Sequence, residues 1–394
     1  MKKTILTGIL LSIITVVSAQ DRALIPSLIW TKKIIGSNEG LHIGGYGQID
    51  FNLPTRDGSI HRNGTLDVHR FVTFIGYNFN EKTSFVSEIE FEHVSEVFVE
   101  QAFLNYRLEN NMSLSAGLML VPMGIQNLYH EPPTFNGVER TNVDKYIVPT
   151  TWREMGISLS GRGIQNSLNY KVMMVNGFNG YDGEGVFSGK TGLRSGRQKG
   201  AKSYITFPDF AARVSYYGYK GLNLGLSAYL GDSESTMYDG LDLSDDASVA
   251  SADSTIIGIQ MIGADARYKL GPLQLRGQYI VANLSNTDQY NGKTDSDLAS
   301  VMAGYYSEIG YNLLNNCETE NELIGFCRYE NYNTHVETAG GLEINEDYNR
   351  TDITFGLGFK VAGGAMFKAD YQILSNEGSE DKKGQFNFGT AIWF

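Results

Sequence analysis

The last ten residues of the chain alternate. Phe386, Phe388, Thr390, Ile392 and Phe394 fall on one phase, with Gln385, Asn387, Gly389 and Ala391 on the other. A period of two is the signature of an extended strand with unlike faces. It recurs at Leu222, Leu224, Leu226, Ala228 and Leu230, and again at Ile353, Phe355, Leu357 and Phe359 opposite Asp352, Thr354 and Lys360. A chain built this way must bury or solvate whole faces of sheet, so it is expected to be all-β.

The start of the chain says where those faces meet their surroundings. Lys2 and Lys3 precede an uncharged apolar run over residues 5–17, and the small residues Ser18 and Ala19 come just before Gln20. This is the pattern of a secretory signal peptide cut after Ala19. The alternative, an uncleaved anchor, needs about 20 apolar residues, more than this run supplies. No second run of spanning length follows, which leaves a closed barrel as the way for the mature chain to cross a bilayer. The 45 Gly, 23 Tyr and 20 Phe beside 8 Pro suit short strands, tight turns and aromatic belts, although soluble β-sandwich repeats share that composition. The alternating end with its terminal Phe resembles the assembly signal of outer-membrane barrels.

Along the chain we expect a signal peptide at 1–19, a periplasmic lead-in at 20–40, and a barrel from 41 to 394. Sixteen strands are predicted, with short turns alternating with long loops. In the first, Leu41, Ile43, Ile49 and Phe51 oppose His42, Tyr46, Gln48 and Asp50, whereas the second, near 66–78, is apolar on both phases and has no readable face. In the third, Phe85, Ile89 and Phe91 alternate with Glu88, Glu90 and Glu92. Three carboxylates on one face require water, because charge on a lipid-facing wall costs several kcal/mol near the midplane. They are therefore expected to line an aqueous lumen. On readable phases the other inward charges are the bases Arg213, Arg267, Lys269, Arg276, Arg328, Lys360 and Lys368, and the acids Asp265, Glu330, Asp352 and Asp370.

One stretch breaks the rhythm. Residues 121–152 are too long and too Pro-marked for a turn, and connections of this length are usually functional. We expect this loop, between the fifth and sixth strands, to fold into the barrel as its constriction.

The wording of this region, LVPMGIQNLYHEPPTFNGVER followed by YIVPTTWREMGISLSG, with IGGYGQIDFN, DVHRFVTFIGYNF and SEIEFEHV upstream, resembles Bacteroidetes outer-membrane porins grouped with the phosphate-selective porins. The likeness covers residues 41–161. It implies a sixteen-stranded, trimeric, water-filled channel in the outer membrane of a Gram-negative bacterium, with the third loop folded inward. Carried onto this chain, the constriction is lined by Glu131, Glu139, Arg140, Asp144 and Lys145. Phosphate selectivity in that family looks tied to a ladder of bases; here acids and bases mix, so the specificity is not carried over.

Other features read more plainly. The net charge of -12 argues against nucleic acid as a partner. Cys317 and Cys327, exported together, are a candidate disulfide, though spacing alone does not fix the distance a bridge requires. His130 and Glu131 read as a loop anchor rather than a catalytic or metal pair, and the Glu88, Glu90, Glu92 stripe as counter-charge to arginines of the long loop. Asp239, Asp242, Asp245 and Asp246 depart from the spacing of a calcium loop and read as a solvated acidic loop. No phosphate loop, nucleophile elbow or paired-Cys zinc motif is found, so neither a cofactor nor an enzyme is expected. The expected function is passive diffusion of small hydrophilic solutes or ions, with outer-membrane lipid and further copies of the chain as partners. The alternative is a porin-like accessory barrel docked on other envelope proteins through its long loops.

Overall fold

The computed structural model describes residues 39–56, 63–163 and 165–394. The expected signal peptide and nearly all of the lead-in lie outside the described residues. Among these, sixteen strands close one antiparallel barrel in chain order. They are β1 Gly40–Arg56, β2 Thr65–Asn78, β3 Thr83–Glu92, β4 Glu96–Glu109, β5 Met112–Leu120 and β6 Arg153–Gly163. Next come β7 Leu168–Val175, β8 Asp209–Tyr216, β9 Leu222–Asp232, β10 Gly258–Leu270 and β11 Leu273–Ser285. The wall is completed by β12 Val301–Asn312, β13 Glu322–Glu337, β14 Asn349–Ala362, β15 Ala365–Asn376 and β16 Ser379–Trp393. The barrel shuts where β1 pairs with β16, Tyr46 opposite Trp393 and Phe51 opposite Phe388. Gly45 N–H donates to Phe394 O at 3.0 Å and Phe394 N–H donates back to Gly45 O at 2.9 Å. Closure leaves no edge strand in the barrel.

Period two sorts the side chains. Leu41, Ile43, Leu226, Phe355 and Phe388 stand outward and exposed, while Gln48, Asp50, Asn105, Asp352 and Asn387 point inward and are buried. Such an apolar outer band suits lipid. No helix of the described residues is long and apolar enough to cross a membrane. On β2, unreadable in sequence, Phe71 and Tyr77 face out while Val72 and Phe74 pack inward against Tyr46, whose ring lies 5.8 Å from that of Phe74. Both phases are apolar because the inner one feeds a small lumenal cluster.

Tight turns close one end of the barrel. Gly221 (φ +79) and Gly271 (φ +56) occupy the left-handed conformation that side chains resist. At the other end are the long loops over 121–152, 176–208, 233–257 and 286–300. In the third of these Asp245 caps the helix Asp246–Asp253, accepting from Ala247 and Ser248 N–H. Hydrogen bonds from Ser248 hold its carboxyl below the usual range.

The expected bridge between Cys317 and Cys327 is not formed; both thiols are free and exposed. The reason is geometric. Cys327 lies within β13, opposite Ile309 and Phe355, and a strand rises about 3.3 Å per residue, so it is carried up the wall away from the turn that holds Cys317.

Candidate pore constriction

The loop over 121–152 leaves β5 and returns to β6 through a clip made by one side chain. Asn127 Nδ2 donates to Val121 O (2.7 Å) and Trp152 O (3.0 Å), and its Oδ1 accepts from Trp152 N–H (2.6 Å). Between the clipped ends run a helical turn, Ile125–Leu128, a 3-10 turn, Pro132–Thr134, and a second helical turn, Val143–Tyr146. These pieces are too short to be stable alone. The barrel wall holds them instead.

Polar wall residues meet the loop's backbone. Gln278 Oε1 accepts from Ile125 N–H (2.7 Å), Asp370 Oδ2 from Val138 N–H (2.6 Å) and Glu330 Oε2 from Val143 N–H (3.2 Å). Lys368 Nζ donates to three carbonyls, Pro132 (2.6 Å), Phe135 (2.7 Å) and Gly137 (2.9 Å). Asn136 reaches Glu308 at 2.9 Å, Asn142 reaches Asp352 at 2.7 Å, and Arg276 donates to Thr134 O at 3.1 Å. On the opposite wall His130 Nε2 sits between two carboxylates, 3.3 Å from Glu88 and 3.4 Å from Glu100. The loop is thus braced across the lumen against β1, β3, β4 and β10 through β15.

Its other side is apolar. Trp152 is buried against Phe178 and Tyr229, each with ring centroids 4.6 Å away, in a cluster that also takes in Met261, Ile280 and Met302 of the wall. The inner faces of β10 to β12 turn hydrophobic toward their loop ends. Arg197, from the next loop, latches the seam by donating to the carbonyls of Pro149 (3.1 Å), Thr150 (2.9 Å) and Thr151 (3.2 Å).

The five residues expected at the constriction separate into two groups. Glu131 and Asp144 are buried in the loop's own packing, the Asp144 carboxylate accepting from Thr141 at 2.5 Å. Glu139 and Arg140 are half-buried and Lys145 is exposed. Asn52 Nδ2 donates to Glu139 at 2.9 Å, Arg140 donates to His130 O at 2.8 Å, and Lys145 lies 5.5 Å from the Tyr146 ring centre.

The wall residues are placed as follows. Glu90 and Glu92 face Arg70 at 3.3 and 3.8 Å and Glu88 faces His130, so the direct contacts to the acidic stripe of β3 come from its neighbour β2 and from a histidine of the loop. Arg213 pairs with Asp265 (2.7 Å), Arg276 with Glu308 (3.1 Å), and Arg328 with Glu330 (2.9 Å) and Glu308 (3.6 Å). Arg267 lies over the Tyr129 ring, 3.6 Å from its centre. Lys360 approaches Glu322 at 3.9 Å, and Lys269 is exposed at the turn end of β10. Sequence reasoning missed Arg70, Glu100, Arg197 and Arg350, the last stacked 4.7 Å over Tyr146. Arg70 lies on the strand of unreadable phase, and Arg197 and Arg350 approach the site from loop and rim positions that no periodicity marks.

No protein-family model matches the chain. It is 31% identical over 370 residues to an uncharacterized protein of Aquifex aeolicus, covering 91% of this chain and 81% of that protein. Among solved structures it is similar to the outer-membrane channel DcaP of Acinetobacter baumannii, with a TM-score of 0.58 at 11% identity over 91% of this chain and 98% of that one. It is also similar to the anion-selective porin from Comamonas acidovorans, with a TM-score of 0.57 at 11% identity over 91% of this chain and 100% of that one. Salmonella typhi OmpF in complex with daunomycin gives 0.54 at 11% identity over 91% of this chain and 98% of that one. At such identity the likeness is one of fold. The chain belongs to one family with the Aquifex aeolicus protein, and its closed sixteen-stranded antiparallel barrel has the architecture of the outer-membrane porins.

Proposed function

We propose that the chain is an outer-membrane porin of a Gram-negative bacterium, exported by a cleaved signal peptide, through which small hydrophilic solutes or ions diffuse passively. The observation that carries this reading is the pairing of an apolar outer wall with a charged inner wall crossed by one long inward loop. In a narrow aqueous path, opposed charges set a transverse field, and the loop sets the width. Glu139, Arg140 and Lys145 are the groups of the loop that a passing solute meets. Assembly as a homotrimer is proposed on resemblance. Phosphate specificity is not, since Arg213, Arg276 and Arg328 each have a carboxylate partner.

The test is single-channel current in a planar bilayer under a salt gradient, with phosphate as competitor. Steady conductance with a reversal potential of definite sign is expected. Deleting residues 125–145 in a barrel that still folds is expected to raise the conductance; an unchanged value overturns the loop's role, and a folded wild-type barrel without current overturns the channel. Bracing of the loop against so many strands favours one second reading, a porin-like accessory barrel within a larger envelope complex. Co-purification with another envelope protein in a fixed ratio supports that reading, and a clean homotrimer opposes it.

A further inference from the structure

At the loop end of the barrel, three elements bring two imidazoles and two carboxylates into one cluster. Asp50 comes from β1, Asp67 and His69 from β2, and His93 from the turn between β3 and β4. His69 Nδ1 is 3.1 Å from Asp50 Oδ2, and His93 Nδ1 meets Asp67 Oδ2. The two rings stand 5.7 Å apart. One ligand atom from each of Asp50, Asp67 and His69 lies within 4.8 Å of the others. Donors around a tetrahedral ion bound at about 2.0–2.2 Å sit roughly 3.3–3.6 Å apart, so these three atoms must close in on the ion, and His93, which touches Asp67 alone, must swing in as the fourth ligand.

We propose that Asp50, Asp67, His69 and His93 form a binding site for a divalent transition metal of the zinc class. Two ordinary ion pairs, one for each His, are the simpler account of the same contacts. That account leaves an atom over. Asp50 is 2% exposed and its Oδ1 is buried without a hydrogen-bond partner. Two imidazoles with two carboxylates suit zinc and its neighbours, whereas calcium and magnesium take oxygen donors. Access is open, since the His93 side chain is 49% exposed and that of Asp67 23%.

Loading moves protons. His69 Nε2 lies 2.7 Å from Arg70 Nη2, so without metal Arg70 donates to Nε2 and Nδ1 carries the hydrogen. With metal on Nδ1 the proton sits on Nε2, and Arg70 turns to Glu90 and Glu92, which already flank it at 3.3 and 3.8 Å. His93 must also be neutral to ligate. Protons therefore compete with the ion for both imidazoles, and affinity falls as the pH drops.

Titration calorimetry of the purified full chain in detergent with zinc chloride decides the matter, and it reads the site whether or not the barrel conducts. We expect one ion per chain, no heat with magnesium chloride, weaker binding at pH 6 than at pH 8, and affinity at least about tenfold lower in the His69→Ala/His93→Ala double variant. Absence of zinc binding, or binding unchanged in that variant, overturns the proposal. Should the double variant fail to fold, as read by its mobility on an unheated gel, Asp50→Asn and His93→Gln singly are expected to give the same loss; full affinity in both overturns it equally.

Discussion

Among single residues, His130 holds the loop most directly. Its ring is fully buried, with Nε2 between Glu88 and Glu100, while Gln101 donates to Glu88 at 2.6 Å and Tyr46 to Glu100 at 3.1 Å. Removing one partner from a buried charged network leaves the others uncompensated, which typically costs about 3–5 kcal/mol. His130→Ala is therefore expected to lower the thermal midpoint and to expose residues 125–145 to protease. Replacing all three together, Glu88→Gln, Glu100→Gln and His130→Gln, removes the charges as well as the bridge and is expected to recover most of the loss. A triple variant no more stable than His130→Ala would show that packing of the ring, and not charge, is what matters. Of the pair read as a loop anchor, Glu131 keeps both carboxylate oxygens buried without a hydrogen-bond partner, and the anchoring role of His130 was legible. Half of its partnership was not: Glu100 is the extra residue of a bulge, where Glu88 pairs with Gln101 and Ile89 with Val99, and period two fails at that point.

At the scale of elements, wall and loop are made by different physics. The strands follow from alternation, and Leu222 to Leu230 or Ile353 to Phe359 were readable because one face meets lipid and the other does not. The loop follows from its surroundings. Its turns are too short to hold themselves, so the donors and acceptors of β10 through β15 define its path, and nothing in residues 121–152 alone shows which strand each will meet. The apolar inner faces of β10 to β12 escaped for the same reason, since Met261, Ile280 and Met302 face inward only because Trp152 and Phe178 come to cover them. Lys368 tests this dependence. Its ammonium serves three carbonyls between Pro132 and Gly137, and hydrogen bonds to a charged group contribute about 1.5–3 kcal/mol. Lys368→Met keeps the bulk and loses the donors. Amide hydrogen exchange over residues 132–138 is expected to speed up by roughly ten- to a hundredfold, with exchange in the strands unchanged. Exchange unaltered in the loop would mean that the apolar packing alone fixes it.

For the whole molecule, the decisive event is closure. Every neighbouring pair in the wall is joined by a turn or a loop, apart from β1 with β16, which come from the two ends of the described barrel. That pairing has the largest sequence separation, so its loop-closure entropy is the hardest to recover and it is expected to form last. Phe394 works at this seam. Its backbone exchanges two hydrogen bonds with Gly45, and its ring stacks on Phe71 with centroids 6.4 Å apart. Gly45 leaves room for this approach, since a Cβ there would stand 2.3 Å from Val72 O and 3.0 Å from the Phe394 ring. A chain ending at Trp393 loses both bonds and the stack; Phe394→Ala loses the stack alone; Phe394→Tyr keeps all three. The closed fraction, read as the fast-migrating band on an unheated gel after refolding into detergent, is expected to fall in the order tyrosine, alanine, truncation. Equal closed fractions in all three would move the seam's stability to the register from Tyr46 to Leu53, and the aromatic end would then matter to export rather than to the fold.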